Sequence, residues 1–216
     1  MAETRSIPLT RHAVSDEVAR RIRDAVRMAE ALPGAGGGSR AVRAQDVDSL
    51  THFFEDPAIH LPIYSIPRPV TAETVRHFIQ AHIEEKGRGE GGLFLSFFDD
   101  GRVAGYSDIQ IWPHWAAGEL GGALHPERQS QGHGVLGAAR SFDWMFQVLG
   151  LELICETASR ENIRTAKLLD ALGFALMGEV ISYRPDGSSR PSRVWEINRE
   201  TWEVLRAHRV KRFGEG

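Results

Sequence analysis

Cysteine occurs once in 216 residues, at Cys155, so the chain cannot form an internal disulfide or a cysteine-ligated zinc cluster. Cys155 lies in the apolar run Leu151-Glu152-Leu153-Ile154-Cys155, where a buried structural thiol is expected rather than a nucleophile. No apolar run approaches the ~18 residues of a membrane span, and no signal-peptide pattern opens the chain, so the expected location is cytoplasmic, with no membrane partner. Charge of neither sign dominates. Twenty-six Lys and Arg against 29 Asp and Glu leave a net charge of -3, which argues against direct nucleic-acid binding held mainly by phosphate contacts. There is no Gly-Lys-Ser/Thr, which removes the P-loop, and no internal repeat. Hydrophobic residues make up 42% and charged residues 25%, the ordinary balance of one globular domain with a full core.

The most informative stretch is His125-Pro126-Glu127-Arg128-Gln129-Ser130-Gln131-Gly132-His133-Gly134-Val135-Leu136-Gly137. An alternating segment, Glu119 to Leu124, reads as a strand before it. A helical pattern follows, with Val135, Leu136, Ala139, Phe142 and Met145 near one face. Strand, glycine loop and helix start aim free backbone N–H groups at an anion, and glycine lets the chain approach it closely. Residues 129 to 135 are therefore expected to hold a phosphate-bearing ligand. Gly132-x-Gly134-x-x-Gly137 also matches the dinucleotide fingerprint, but that motif needs its first glycine directly off a buried strand. Here Glu127 to Gln131 intervene, and repeated βαβ units are missing.

Gln129-x-x-Gly132-x-Gly134 resembles the Q/R-x-x-G-x-G/A acyl-CoA loop of GNAT-superfamily N-acyltransferases. About thirty residues on, Asn162-Ile163-Arg164-Thr165 and Leu172-Gly173-Phe174 resemble the same superfamily's N-x-x-S/T…L-G-F segment. Phe142-Asp143-Trp144-Met145-Phe146, Leu149-Gly150-Leu151, Glu119-Leu120-Gly121-Gly122 and Pro126-Glu127 are similar to the branch that includes ribosomal-protein N-terminal acetyltransferases. The resemblance covers roughly residues 39 to 200. It implies an α/β fold with a mixed central sheet, splayed between its fourth and fifth strands and carrying helices on both faces.

Along the chain, residues 1–38 read as an addition, with one amphipathic helix (Val18, Ile22, Val26, Ala29, Leu32) and a Gly-rich link, dispensable for binding at the loop. Residues 39–200 form the transferase-like domain, and 201–216 a terminal helix or tail. Within the domain, residues 39–44 suggest a first strand, and Asp46 or Asp48 caps a helix bearing Leu50, Phe53 and Phe54. Thr71 caps a second helix running to about Glu85. The proline-rich segment between them, too apolar for a linker, is expected to cover part of a substrate cleft. Leu93 to Phe98, Arg102 to Trp112 and Glu119 to Leu124 are the next strands, with a turn at Asp99-Asp100-Gly101. Leu151 to Thr157 is the fifth. A helix from Asn162 ends at Gly173, and a hairpin (Phe174 to Tyr183, Arg193 to Ile197) closes the sheet.

The resemblance implies acetyl-CoA as co-substrate and no metal. Its pantetheine arm is expected in the splay, bonded by the backbone of Ala123, Leu124 and His125. The pyrophosphate is expected on Ser130, Gln131, Gly132, His133, Gly134 and Val135, with Gln129 at the loop start and Asn162 and Thr165 across the gap. The alternative for Asn162 is a plain helix cap. An amine with pKa near 10 must lose a proton before it attacks a thioester. Glu119 is the candidate base, and a surface carboxylate is its alternative. Many superfamily members place a tyrosine, thought to protonate the thiolate, where this chain has Leu169; Thr165 is the remaining hydroxyl donor. Trp112, His114 and Trp115 stand near the expected acceptor mouth. The acceptor is an amine, either a small molecule or a protein N-terminus, and homodimerisation stays open. A non-catalytic acyl-CoA-binding module is the alternative to an N-acetyltransferase.

Acetyl-CoA is expected to raise the melting temperature, whereas NAD and ATP leave it unchanged. At a hundred times its Kd a ligand contributes about 2.7 kcal/mol, well within reach of a thermal-shift assay. Gly134→Val should abolish the shift, because a branched Cβ blocks the anion. Unchanged acetyl-CoA affinity in that variant would remove the loop assignment.

Overall fold

The computed structural model describes residues 7–33, 39–129, 133–183 and 187–213. An N-terminal arm leads into α1 (Asp16–Met28), whose first turn is capped by the Ser15 hydroxyl accepting from the Val18 N–H. β1 (Ser39–Ala41), α2 (Val47–Glu55), α3 (Pro57–His60) and α4 (Ala72–Arg88) follow. The Thr71 and Thr74 hydroxyls cap the start of α4 reciprocally, and left-handed Gly89 (φ 75°) ends it. β2 (Gly91–Phe97), β3 (Val103–Trp112) and β4 (Ala117–Leu124) form an antiparallel meander. Next come α5 (His133–Gln147), β5 (Leu153–Ser159) and α6 (Ile163–Leu172). β6 (Ala175–Tyr183), β7 (Ser189–Asn198) and α7 (Arg199–Phe213) complete the chain.

The sheet runs β1-β2-β3-β4-β5-β7-β6. Every neighbouring pair is antiparallel except β4 and β5, which lie parallel and share register only at Ala117↔Leu153 and Gly118↔Ile154. The α/β class, the mixed sheet and the opening between the fourth and fifth strands agree with the sequence reading. One face of the sheet carries α5, α6 and α7, where Phe142, Met145, Phe146, Leu169, Leu172 and Trp202 close over Ile109, Ile111, Ile154 and Ile197. On the other face α2 and α4 bury Leu50, Phe53, Phe54, Val75 and Ile79 against Leu93, Leu95 and Tyr106.

Three local readings change. The α1 helix belongs to the main core: Ile22, Val26, Ala29 and Leu32 are buried in one cluster with Phe94, Ile109 and Phe146. The periodicity of residues 18–32 was legible, but not the surface that would receive it. In α5, Val135 and Leu136 are exposed at 43% and 53%, whereas Phe142, Met145, Phe146 and Leu149 are buried. Asp46 does not cap α2. It receives two 2.7 Å hydrogen bonds from the Arg40 guanidinium and one, also 2.7 Å, from the Arg43 N–H. Burial opposes its charge, but those donors outweigh it and hold the carboxyl below its ordinary range.

Since Ile22 is 2% exposed, Ile22→Ala is expected to lower unfolding stability by about 2–5 kcal/mol in urea titrations, as at a core site. A loss below roughly 0.5 kcal/mol, the range of surface substitutions, would make α1 peripheral.

Candidate active site

β4 and β5 part after Gly118 and Ile154. In an antiparallel ladder successive residues turn their backbone groups to opposite neighbours. The His125 N–H donates to the Ala104 carbonyl (2.8 Å), which sets the odd-numbered residues of β4 toward β3. The even-numbered ones therefore face the gap, and Leu120 does so visibly, its N–H donating to Glu156 Oε1 at 2.9 Å. Of the three residues expected to bond a ligand arm, Leu124 faces the gap, while Ala123 and His125 direct their backbones to β3. The strict alternation of the strand is the reason. Gly122, which sequence reasoning passed over, faces the gap too. With φ 147° it must be glycine, since a Cβ would come within 2.3 Å of the Tyr106 carbonyl oxygen.

A cleft of about 360 Å³ runs through this opening. Pro62, Tyr106 and Gly121 to Leu124 line it from one half, and Gly137, Ser141, Phe142, Glu156 and Leu169 from the other. Pro62 belongs to the proline-rich segment, expected to cover such a cleft. Gln129 spans the mouth: its Nε2 donates to the Leu124 carbonyl (2.7 Å), and its Oε1 accepts from Arg164 Nη1 (2.8 Å). Asn162 and Thr165 also line the cleft. Here Asn162 acts as a helix cap, its Oδ1 accepting from the Thr165 N–H at 3.0 Å. Leu169, in the position of the missing tyrosine, is a buried apolar wall. Ser130, Gln131 and Gly132 lie outside the described residues, as do the side chains of His133 and Gly134, where α5 begins.

Where the ladder stops, two carboxylates replace it. Glu119 on β4 accepts from the Thr157 N–H (3.0 Å) and hydroxyl (2.6 Å) on β5. Glu156 on β5 accepts from Leu120 on β4. The side chains reach the gap from opposite faces of the sheet, Glu156 being the one that lines the cleft. Burial pushes Glu119 up to about 7, against the Thr157 hydrogen bonds and with a further push from Asp108. Burial and the neighbouring charge of Glu119 raise Glu156 well above its ordinary range. Two carboxyl groups held above the ordinary carboxylate range thus meet at the opening of the sheet, a setting suited to acid–base chemistry. Glu156 had a signal in sequence: an acid in the largely apolar run Leu151 to Thr157, next in line as the base after Glu119.

The histidines and tryptophans stand elsewhere. His125 is wedged beside Phe98 (ring centroids 5.4 Å apart) and Phe53 (6.2 Å). Trp112, His114 and Trp115 do not line the cleft; His114 and Trp115 hold the N-terminal arm at the far end of β4. Arg11 lies 4.6 Å from the Trp115 ring centre, and the Val14 N–H donates to the His114 carbonyl at 2.9 Å.

A mixed sheet split between a parallel pair, with carboxylates and a glycine-loop helix start at the split, defines an acyl-transferase class of architecture. The family model described as "Acetyltransferase (GNAT) domain" matches residues 39–175, and the chain belongs to that family. It is an acetyltransferase. No curated protein matches the chain. Among solved structures it resembles Mycobacterium smegmatis RimJ in complex with CoA-disulfide, at 22% identity and a TM-score of 0.68, over 85% of this chain and 93% of that one. The ribosomal-protein-S5-alanine acetyltransferase of Vibrio fischeri matches at 22% identity and a TM-score of 0.63, over 76% of this chain and 94% of that one. Spermidine N-acetyltransferase from Vibrio cholerae, in complex with CoA and spermine, matches at 17% identity and a TM-score of 0.63, over 76% and 96%. At these identities the likenesses establish the fold.

Glu119 keeps its proton up to about pH 7 in the folded chain but ionises near 4.5 when unfolded. Between those values the folded state binds more protons, so this group lowers stability as pH rises through the window and keeps the full penalty above it. Relative to wild type, Glu119→Gln should therefore gain stability between about pH 4.5 and 8, by up to roughly 3 kcal/mol. Urea titrations at both ends check it; a constant difference would mean that Glu119 ionises normally.

Proposed function

We propose that the chain is an acetyl-CoA-dependent N-acetyltransferase that works by direct attack in a ternary complex, with Glu119 as the base and Glu156 as its coupled partner. The observation that carries this reading is the reciprocal Glu119–Thr157 and Glu156–Leu120 bridging at the opening of the sheet. The site suits acetyl-CoA in two respects: the gap-facing backbone of Gly122 and Leu124, and a cleft that continues to Gln129, Asn162 and the start of α5. Gly122, Leu124, Gln129, Asn162, Thr165 and the loop amides to Val135 would hold it. When bound, it supplies an activated thioester carbonyl.

The remaining work falls to this chain's own groups. Glu119 faces the side opposite α5, and a carboxyl near 7 takes a proton from an ammonium far more readily than an ordinary glutamate does. A gap-facing N–H near Leu124 is placed to donate to a developing oxyanion. Thr165 offers a hydroxyl toward the leaving sulfur, and Leu169 offers no donor. Cys155 stays out of the chemistry. It is fully buried, and that burial, together with Glu119, Glu196 and Glu156, drives its thiol pKa far upward, which favours transfer without an acyl-cysteine. The acceptor is a primary amine on a peptide or a small molecule.

The test is thiol release from acetyl-CoA across an amine panel. Glu119→Gln should cost at least about 10²-fold in turnover near neutral pH, with acetyl-CoA affinity little changed. Raising the pH should restore much of the loss, because free amine then forms unaided. Near-wild-type turnover at neutral pH would move the base to Glu156, and no release by the wild type with any amine would favour a non-catalytic acyl-CoA-binding module.

A further inference from the structure

Residues 7–14 cross the same face of the sheet from which Glu119 reaches the gap. On β5 and β7 that face presents Cys155 paired with Glu196, and Thr157 paired with Val194. Half-buried Ile7 and Leu9 pack against Cys155, Val180 and Val194. Glu196, 4% exposed, receives the Leu9 N–H, the Thr10 N–H (3.1 Å) and the Thr10 hydroxyl (2.5 Å). A buried carboxylate without donors is costly, so arm and glutamate hold each other in place. Nearer α1, the stacking of Arg11 on Trp115 and the Val14–His114 bond fix the rest of the arm.

Cys155 and Thr157 are two residues apart on one strand, about 6.6 Å along it. Thr157 is the residue that hydrogen-bonds Glu119. The cluster on which Ile7 and Leu9 pack thus includes the β5 side chain next, on the same face, to the residue that holds the base. Across the gap, the same face is closed by α2 and α4. An acceptor that reaches Glu119 from this side passes between the two.

We propose that Ile7 to Thr10, clasped by Glu196, form one wall of the acceptor site and select a primary amine on an apolar stem over one on a polyhydroxylated scaffold. The inference rests on the reading of Glu119 as the base. Its warrant is the aliphatic character of Ile7 and Leu9, which reward contact with methylene groups and leave hydroxyls unpaired.

Two variants test it. Ile7→Ala/Leu9→Ala keeps the clasp and trims the wall. Glu196→Gln replaces an acceptor oxygen with an NH₂ facing backbone N–H groups and so loosens the arm, which faster labelling of Cys155 by a thiol reagent should report. KM and kcat are measured for alkylamines of increasing length and for an aminoglycoside, beside KM for acetyl-CoA. The expected result in both variants is a loss of about tenfold in preference for the longer alkylamine, carried by its KM, with kcat and the acetyl-CoA KM within about twofold. An unchanged preference overturns the inference, including the case where only the melting temperature falls, since the arm is then merely structural. Failure of the underlying reading looks different: the wild type itself releases no thiol, or Glu119→Gln keeps full turnover, and the inference falls with it.

Discussion

Everything at the centre of this molecule depends on β4 and β5 pairing for two residues and no further. An unpaired backbone inside a sheet is expensive, so a gap there persists only if its polar groups find other partners. Glu156 serves the Leu120 N–H, Glu119 serves the Thr157 N–H, and Gln129 serves the Leu124 carbonyl. The halves on either side are complete ladders. β3 holds β4 along its length, and β7 holds β5 from Leu153↔Asn198 to Ser159↔Ser192. The opening is thus a fixed cleft between two rigid half-sheets, and its polar lining stands ready without rearrangement.

The buried acids show two solutions to one cost. Asp46 meets Arg40, and Asp108 meets His82 at 3.1 Å. Burial works against charge on His82, but the hydrogen bond and charge of Asp108 outweigh it and keep the imidazolium up to about 9. Asp46 and His82 stay charged at neutral pH, and both pairs fix structure. Glu119 and Glu156 have no cation among their recorded partners and shift toward the neutral form instead. Burial thus leaves Glu119 near the pH at which it can exchange protons, which is what removing a proton from an amine requires.

The family match begins at residue 39, yet the segment before it is integral to packing on both faces. α1 fills the core beside α5, while the arm covers the β5–β7–β6 half of the opposite face, which α2 and α4 leave open. The family architecture supplies the cleft, and this chain's own N-terminal segment shapes the surface around it.

By itself the sequence determined what local rules govern. The helix cap at Thr71, the stop at Gly173, the turn at Gly101 and the strand–glycine–helix order around residues 119–137 all follow from backbone preferences of single residues. Motif spacing added the family and the position of the opening. Tertiary structure decided what depends on a partner distant in the chain. Asp46 reads as a cap until Arg40 is folded against it, and Val135 shares an apolar face with buried Phe142 in sequence yet stays exposed. Trp115 reads as an acceptor wall until Arg11 is seen to stack there. Glu156, an acid in an apolar strand, gained its place only when β4 came alongside and offered the Leu120 N–H. Periodicity tells which face of an element is apolar, but only the packed fold supplies the surface opposite, and with it the charge and exposure of each group.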